Sequence, residues 1–346
     1  VHMPSGADIN ISYESHDYAY VQDKKAMQMY AITSMFDPNN PTVIYNKSSW
    51  PTSEYKNRVY FKLADPLPRS ATANNNSKLE EYFDGTGQIY YKLHAYMRKG
   101  DDDTYKEYIG GYADINKIGI DTNCIDPGDA GFYRWGYVEL KKIKVNNVEK
   151  DYHPFTFYIL QSLKANLPHF AFRDGGLVQE QAPNGGEAVL EVIKAMGSAF
   201  ASIKELFTGY YKEKTNPNHQ WASRLVIGES FIRLNNVTGQ KFGGGSRVKS
   251  IAIADNWNTA SGDASSSYGQ YYSYTTTDNK GNTTSSGVAT YEPAIGGEEN
   301  ALRYAKNYPQ KISIMSQNNL FYEYPINETL YPSPSVGYSK VMVTSL

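Results

Sequence analysis

The chain is poor in the residues that mark several classes of protein. It has 346 residues and a single cysteine, Cys124, so no disulfide can form within it. Exported bacterial proteins often lack disulfides, so this scarcity does not assign the chain to the cytosol. A zinc cluster built on several cysteines is excluded, and no two of the six histidines have the i, i+4 spacing of a helical zinc site.

Charge of one sign and long apolar runs are also missing. There are 34 basic and 36 acidic residues, for a net charge of −2. This balance gives no electrostatic reason to expect a nucleic acid or an anionic membrane surface as partner. No apolar run reaches membrane-spanning length. The composition therefore predicts no nucleic-acid partner and no membrane-spanning segment in this chain.

The common catalytic motifs are absent too. The sequence has neither a Gly-x-Ser-x-Gly elbow nor a His-Glu-x-x-His pair. Gly243-Gly244-Gly245 precedes a strand-like run rather than a helix, which favours a bend at a strand entry over a phosphate loop. Cys124 has no histidine close in sequence that would activate it as a thiolate. We therefore predict no catalytic residue and no bound cofactor, and an enzyme is the less favoured reading.

Acidic loops supply the one candidate metal site. Asp121, Asp126 and Asp129 lie close together in a segment with turn-forming residues, and carboxylate oxygens are the ligands that calcium prefers. The acidic turn Asp101–Asp103 is a second, weaker candidate. Neither group has the spacing of an EF-hand loop, and the ordinary explanation of an acidic turn is solvation.

What the chain has in excess is tyrosine, with 31 copies. Tyrosine favours strands and half-exposed sheet faces. Short alternating segments recur along the chain, as in Ile9, Ile11 and Tyr13, which predict a half-buried strand. We predict a mainly β fold with two strand-rich antiparallel blocks, sandwich or barrel-like, at residues 1–150 and 216–346.

Two hairpins are the clearest local predictions within these blocks. The first pairs the alternating run Gln88–Arg98 with Tyr105–Tyr112 across a polar turn. The second pairs Tyr268–Thr277 with Thr283–Tyr291 across Asp278–Gly281, a sequence typical of tight turns.

A helical insert is predicted between the blocks, at residues 151–215. One helix begins at Pro154. A second, Glu187–Tyr211, has an apolar stripe at steps of three and four. We expect the two to form a central helical hairpin that braces a sheet, with these side chains buried: Val189, Ile193, Met196, Phe200 and Ile203. The alternative is that the stripe pairs with another chain as a coiled coil.

Four phrases of the sequence resemble, as a set, a known kind of protein. They are Tyr13–Gln22, Gly243–Lys249, Ser285–Pro293 and Pro332–Val341. Together they resemble a segment of very large exported proteins of RHS/YD-repeat-like character, from bacteria that use the type IX secretion system. The similarity spans nearly all of the chain, and both ends look cut from a longer polypeptide. The phrases consist of residues typical of turns and strands and are not catalytic motifs, so the resemblance identifies no active-site residue.

The resemblance implies an extracellular or outer-surface setting and a scaffold role. The leading functional prediction is a non-enzymatic structural module of a giant secreted or cell-surface bacterial protein. Its partners would be the remainder of the parent polypeptide or other proteins. One alternative is a carbohydrate-binding or glycoside-cleaving domain, because paired carboxylates need no fixed spacing and Tyr and Trp are common in sugar grooves. Another is a component docked on an outer-membrane protein export machine.

Overall fold

The computed structural model describes most of the strand-rich part of the chain. The described residues are 1–4, 6–35, 57–70, 72–96, 106–121, 131–142, 154–155, 158–159, 224–255, 261–262, 267–293, 298–310, 318–324 and 335–346. They divide into two compact units, each made of separate chain segments. Unit 1 comprises Val1–Gln28, Asn235–Tyr304 and Glu323–Leu346, and unit 2 comprises Met29–Leu234 and Ala305–Tyr322.

Eighteen strands and one short helix have defined bounds in these ranges. The strands are β1 (Asp8–Tyr18), β2 (Tyr20–Val21), β3 (Lys24–Lys25), β4 (Met27–Met35), β5 (Arg58–Pro68), β6 (Gln88–Tyr96), β7 (Lys106–Ile120), β8 (Phe132–Leu140), β9 (Phe231–Asn235), β10 (Lys241–Ala254), β11 (Ser267–Ser273), β12 (Thr275–Thr277), β13 (Thr283–Ser285), β14 (Gly287–Ala289), β15 (Tyr304–Gln310), β16 (Asn318–Tyr324), β17 (Val336–Tyr338) and β18 (Met342–Ser345). The helix is α1 (Thr72–Glu80). The prediction of a mainly β fold is confirmed.

Unit 2 is built on a closed barrel of six strands in the order β4-β5-β8-β7-β6-β9. Along β6 the apolar residues Ile89, Tyr91, Leu93 and Ala95 are buried on one face, as period-2 alternation requires. The predicted first hairpin is confirmed, since β6 and β7 pair antiparallel from Gln88 opposite Asp114 to Tyr96 opposite Lys106.

Glycines let tyrosines lie flat across neighbouring barrel strands. Gly111 faces Tyr91 directly across the β6–β7 pair, and Gly119 faces Tyr137 across β7–β8. A methyl group at either glycine would overlap the tyrosine ring. Small residues at these positions therefore make room for the rings.

Unit 1 holds two four-stranded sheets, ordered β1-β10-β11-β18 and β17-β14-β2-β3. In the first, β1 and β10 pair antiparallel along nearly their whole length, with Asp8 opposite Ala254 and Tyr18 opposite Lys241. A small core comprises the buried side chains Tyr18, Val21, Ala26, Ala289, Leu302 and Val336.

The second predicted hairpin is confirmed only at its tip. β12 and β13 pair at three positions around a turn in which Asp278 accepts hydrogen bonds from the backbone N–H groups of Lys280 and Asn282. Further out the strands separate, because β11 pairs with β10 and β18 whereas β14 pairs with β17 and β2. The long hairpin expected over Tyr268–Tyr291 is therefore wrong outside the turn.

The predicted helical insert lies almost entirely outside the described residues. Pro154, Phe155, Tyr158 and Ile159 are helical, and the rest of residues 151–215, with the expected buried stripe, is not described. Within the described ranges, α1 is the one helix with defined bounds, and no helical hairpin occurs. No helix in those ranges has the length and apolar character needed to cross a membrane.

Candidate functional site

A network of largely buried charged side chains links several strands of unit 1. Arg247 on β10 lies opposite Glu14 on β1, and Asp17 follows Glu14 by three residues on the same strand. Its Nε donates to Glu14 Oε1 at 2.8 Å, while Nη1 and Nη2 donate to the two oxygens of Asp17 at 2.6 and 3.0 Å. The side chains of Arg247 and Asp17 are only 9% and 2% exposed. This is a bidentate, buried ion pair.

Asp17 receives two more hydrogen bonds from neighbouring elements. Ser285 Oγ donates to Oδ1 at 2.5 Å, and Gln240 Nε2 donates to Oδ2 at 2.7 Å. Burial alone would raise the pKa of this carboxyl, but the hydrogen bonds from Arg247, Ser285 and Gln240 outweigh burial and hold its pKa below the usual value. Asp17 is therefore a carboxylate at neutral pH with its acceptor sites in use.

Aromatic rings enclose the guanidinium group. Arg247 Cζ lies 4.2 Å from the ring centre of Tyr274 and 4.9 Å from that of Tyr338. Arg247 Nη1 donates to the Tyr338 hydroxyl at 2.8 Å, and that hydroxyl lies 2.6 Å from His16 Nδ1. Because the Tyr338 oxygen already accepts from a cation, its own proton is free to reach His16 Nδ1, which requires a neutral imidazole. Burial, followed by the nearby Arg247, lowers the pKa of His16, against a smaller opposing effect of Asp17.

A second cluster of charged side chains, centred on Lys241, adjoins the Arg247–Asp17 pair along β1 and β10. Lys241 Nζ donates to the Met27 carbonyl at 2.7 Å and lies 2.9 Å from Glu292 and 2.6 Å from Glu299. The hydroxyl of Tyr18 donates to the other oxygen of Glu292 at 2.5 Å. Burial, followed by the Glu292 carboxylate, raises the pKa of Tyr18, so it stays protonated. All three protons of the Lys241 ammonium have an acceptor.

The glycines beside this network permit close backbone approach. Gly244 and Gly245 have φ of +89° and +109°, and the carbonyl of Gly244 accepts from Ser335 Oγ at 2.6 Å. The triplet lies inside β10, which begins at Lys241, so the predicted bend at a strand entry is wrong in position. It coincides with the irregular register between Ser15 and Asp17 on β1. The triplet does not precede a helix N-terminus, and its glycines permit the local irregularity of the strand.

The four phrases that carry the sequence resemblance meet at this network. Glu14, His16, Asp17 and Tyr18 come from the first phrase and Arg247 from the second. Ser285 and Glu292 come from the third and Tyr338 from the fourth. Segments separated by up to 322 residues of chain are thus joined by direct hydrogen bonds.

The network links strands that lie far apart in the sequence. The charged groups point at one another, and each carboxylate described above is already paired with a cation or a hydroxyl. Among the described residues, no cluster of three His, Cys, Asp or Glu side chains has the arrangement of a metal site. The two hydroxyl groups that lie beside a base, Tyr338 beside His16 and Ser285 beside Asp17, form hydrogen bonds that link separate strands.

The residues predicted to bind calcium are only partly visible. Asp121 follows β7 and donates its backbone N–H to the Trp135 carbonyl at 2.9 Å. Asp126 and Asp129, the turn Asp101–Asp103 and Cys124 lie outside the described residues. The calcium site therefore stays a prediction.

Sequence reasoning missed the network altogether. Its members are scattered over four segments and share no spacing. The available signal was local: β1 places Glu14 and Asp17 in a strand that otherwise alternates apolar and small polar residues, and acidic residues in strand interiors are uncommon. A carboxylate that enters a sheet needs a buried cationic partner, and Arg247 fills that role.

Comparisons with known proteins add no identification to this geometry. Searches against protein-family models, curated proteins and solved structures find no match. The function must therefore be argued from the residues and their contacts.

Proposed function

We propose that the chain is a non-enzymatic structural module of a giant secreted or cell-surface bacterial protein, where it serves as scaffold and protein-interaction surface. The observation that carries the proposal is the convergence of the four resembling phrases on one buried network. The occurrence of these four phrases as a set then has a physical explanation, because their residues join strands that are far apart in sequence.

The chemistry of the network supports the same conclusion. A catalytic carboxylate or base needs an unoccupied face toward a substrate, with a pKa near the working pH. The low pKa of Asp17 and the raised pKa of Tyr18 instead keep both groups in one protonation state over the physiological range. Groups fixed in this way contribute to the specificity of folding.

The setting of the parent protein gives a direct test. An antibody raised against the chain would be used on fractions of the organism that encodes it. We expect a product far larger than 38.9 kDa in the medium or on the cell surface, sensitive to protease added to intact cells. A product of about the mass of this chain, confined to the cytoplasm, would contradict the proposal.

A chromosomal variant separates a structural role from a chemical one. Arg247→Leu removes the cation from the network and should lower the amount of the surface product. Phe132→Ala, at an exposed ring in β8, is the matched control and should leave that amount unchanged. If purified Arg247→Leu protein kept its full stability but lost a sugar-cleaving activity of the wild type, the enzymatic alternative would replace this proposal.

A further inference from the structure

In unit 2, cations and tyrosine rings share the side of β6 that points away from its buried apolar residues. The strand register places Tyr96 opposite Lys106 and His94 opposite Tyr108. Arg224 adjoins the same rows, because its carbonyl accepts the backbone N–H of Tyr96 at 3.0 Å. We call the following six residues the tyrosine–cation face: Lys92, His94, Tyr96, Lys106, Tyr108 and Arg224.

Both tyrosine rings of this face lie against charged or imidazole groups. Lys106 Nζ is 4.9 Å and Arg224 Cζ 4.7 Å from the ring centre of Tyr96. Lys92 Nζ is 5.0 Å from the ring centre of Tyr108, on which His94 stacks with ring centres 4.2 Å apart. Contacts between a cation and a ring hold long, flexible side chains against the sheet. The charged groups are therefore held in place before any ligand binds, which lowers the entropic cost of binding.

The face is positively charged. It has three cations, and the carboxylate beside it is that of Glu229, whose Oε2 lies 2.6 Å from His94 Nδ1. Within the described ranges, neither the exposed Lys106 nor the half-buried Arg224 forms an ion pair with a carboxylate. Because these two cations lie against one ring, they repel each other, and an anion bound beside them relieves that repulsion.

The spacing of the cations favours a polymer with repeated negative charges. His94 and Tyr96 are two residues apart on β6, so the two rows that they mark lie about 7 Å apart. Lys92 serves the first row, and the other two cations serve the second. A single carboxylate contacts one row, whereas linked acidic sugars contact both. The tyrosine hydroxyl groups can donate to and accept from sugar hydroxyl groups.

Two other acidic polymers fit this face less well. A single-stranded nucleic acid binds by stacking its bases on aromatic faces, and here those rings already carry cations or an imidazole. An acidic peptide binds a sheet by pairing with a free strand edge. β6 is an internal strand, which pairs with β7 on one side and with β9, Arg224 and Val226 on the other. A polysaccharide needs neither free ring faces nor a strand edge.

We propose that the tyrosine–cation face binds an acidic polysaccharide, whose carboxylate or sulfate groups pair with Lys92, Lys106 and Arg224. This inference is independent of the proposed function, because it concerns a ligand of unit 2 and neither the buried network of unit 1 nor the setting of the parent protein.

Biolayer interferometry of the 346-residue chain on immobilised polygalacturonate and dextran sulfate tests the proposal. The wild type should bind at least one of them saturably, and more weakly as NaCl rises from about 50 to about 500 mM. Neutral dextran should not bind. The double variant Lys106→Gln with Arg224→Gln should bind roughly tenfold more weakly. Lys62→Gln with Lys78→Gln removes two exposed cations elsewhere in unit 2 and is the matched control, which should bind like the wild type.

The single variant Lys106→Gln guards against loss of folding, because its side chain is exposed. It should weaken binding by about threefold, with far-UV circular dichroism unchanged. A wild type that binds neither acidic polysaccharide at low salt would overturn the proposal, as would face variants that bind as tightly as the control. Equally tight binding of polyglutamate or of a single-stranded oligothymidylate would also overturn it, in favour of an acidic peptide or a nucleic acid.

Discussion

Arg247 and Asp17 form an ion pair that water barely reaches. Burying two charges costs several kcal/mol per ion, and the pair is tolerated because almost every donor and acceptor of the two side chains has a partner. The net gain over two apolar residues of similar volume is therefore small. The cost of removing Arg247 is large, since Asp17 is then left charged and without a cation, whereas removal of Asp17 leaves Arg247 paired with Glu14.

Single and paired substitutions at these residues separate the two effects. Arg247→Leu alone should lower the free energy of unfolding by about 3 kcal/mol, because it leaves the buried Asp17 carboxylate without a cation. Asp17→Asn alone should cost less, because Arg247 keeps the Glu14 carboxylate as a partner. The pair Asp17→Asn with Arg247→Leu should lose much less than the sum of the single variants. Urea unfolding of all three proteins measures the coupling. Additive losses would show that the two residues do not act as a unit.

In the barrel of unit 2, Tyr91 on β6 combines favourable packing of its ring with an unfavourable buried hydroxyl. Tyr91 is fully buried against Phe155, with ring centres 4.7 Å apart, and its hydroxyl has no hydrogen-bond partner within the described part of the chain. A buried hydroxyl without a partner lowers stability by about 1–3 kcal/mol relative to a satisfied one. The ring contributes packing, whereas the oxygen contributes a desolvation cost.

Removal of that oxygen should therefore stabilise the protein. Tyr91→Phe keeps the ring and should raise the melting temperature by a few degrees, about 1 kcal/mol. Gly111→Ala, which places a methyl group against the same ring, should destabilise by about 1–3 kcal/mol. Differential scanning calorimetry compares both with the wild type. A loss of stability in Tyr91→Phe would show that the hydroxyl is satisfied.

The elements were only partly predictable from the sequence. Alternation identified β1, β6 and the turn at Asp278, because these depend on a period of two and on local turn chemistry. It could not show that β1 pairs with β10, some 230 residues later, or that six strands close into a barrel, because a strand's pattern does not name its partner. The helix over Glu187–Tyr211 stays a prediction.

Across the part of the molecule that the structure describes, lowered pKa values at two carboxyl groups and one histidine make stability fall as the pH falls. Asp17 in unit 1 has a lowered pKa, as does Glu139 in unit 2, where hydrogen bonds from Asn116 and Arg58 outweigh burial. Carboxylates with lowered pKa stabilise the fold above their unfolded pKa of about 4, and that contribution is lost as pH falls through the lower folded value. The lowered pKa of His16 has the same sign at a higher pH. Its unfolded form takes up a proton near pH 6.5, where the folded form does not.

Acid should therefore destabilise the protein in two stages. The free energy of unfolding should be level between pH 8 and 7, decline as pH falls below about 6.5 through His16, and decline again below about 4 through the carboxylates. His16→Gln, which keeps an acceptor for Tyr338 but does not titrate, should remove the first decline and keep the second. Asp17→Asn should reduce the second and keep the first. Urea unfolding at pH steps from 8 to 3 measures both. A profile of the His16→Gln protein parallel to that of the wild type between pH 7 and 5 would show that folding does not lower the pKa of His16, which would contradict the neutral imidazole inferred beside Tyr338.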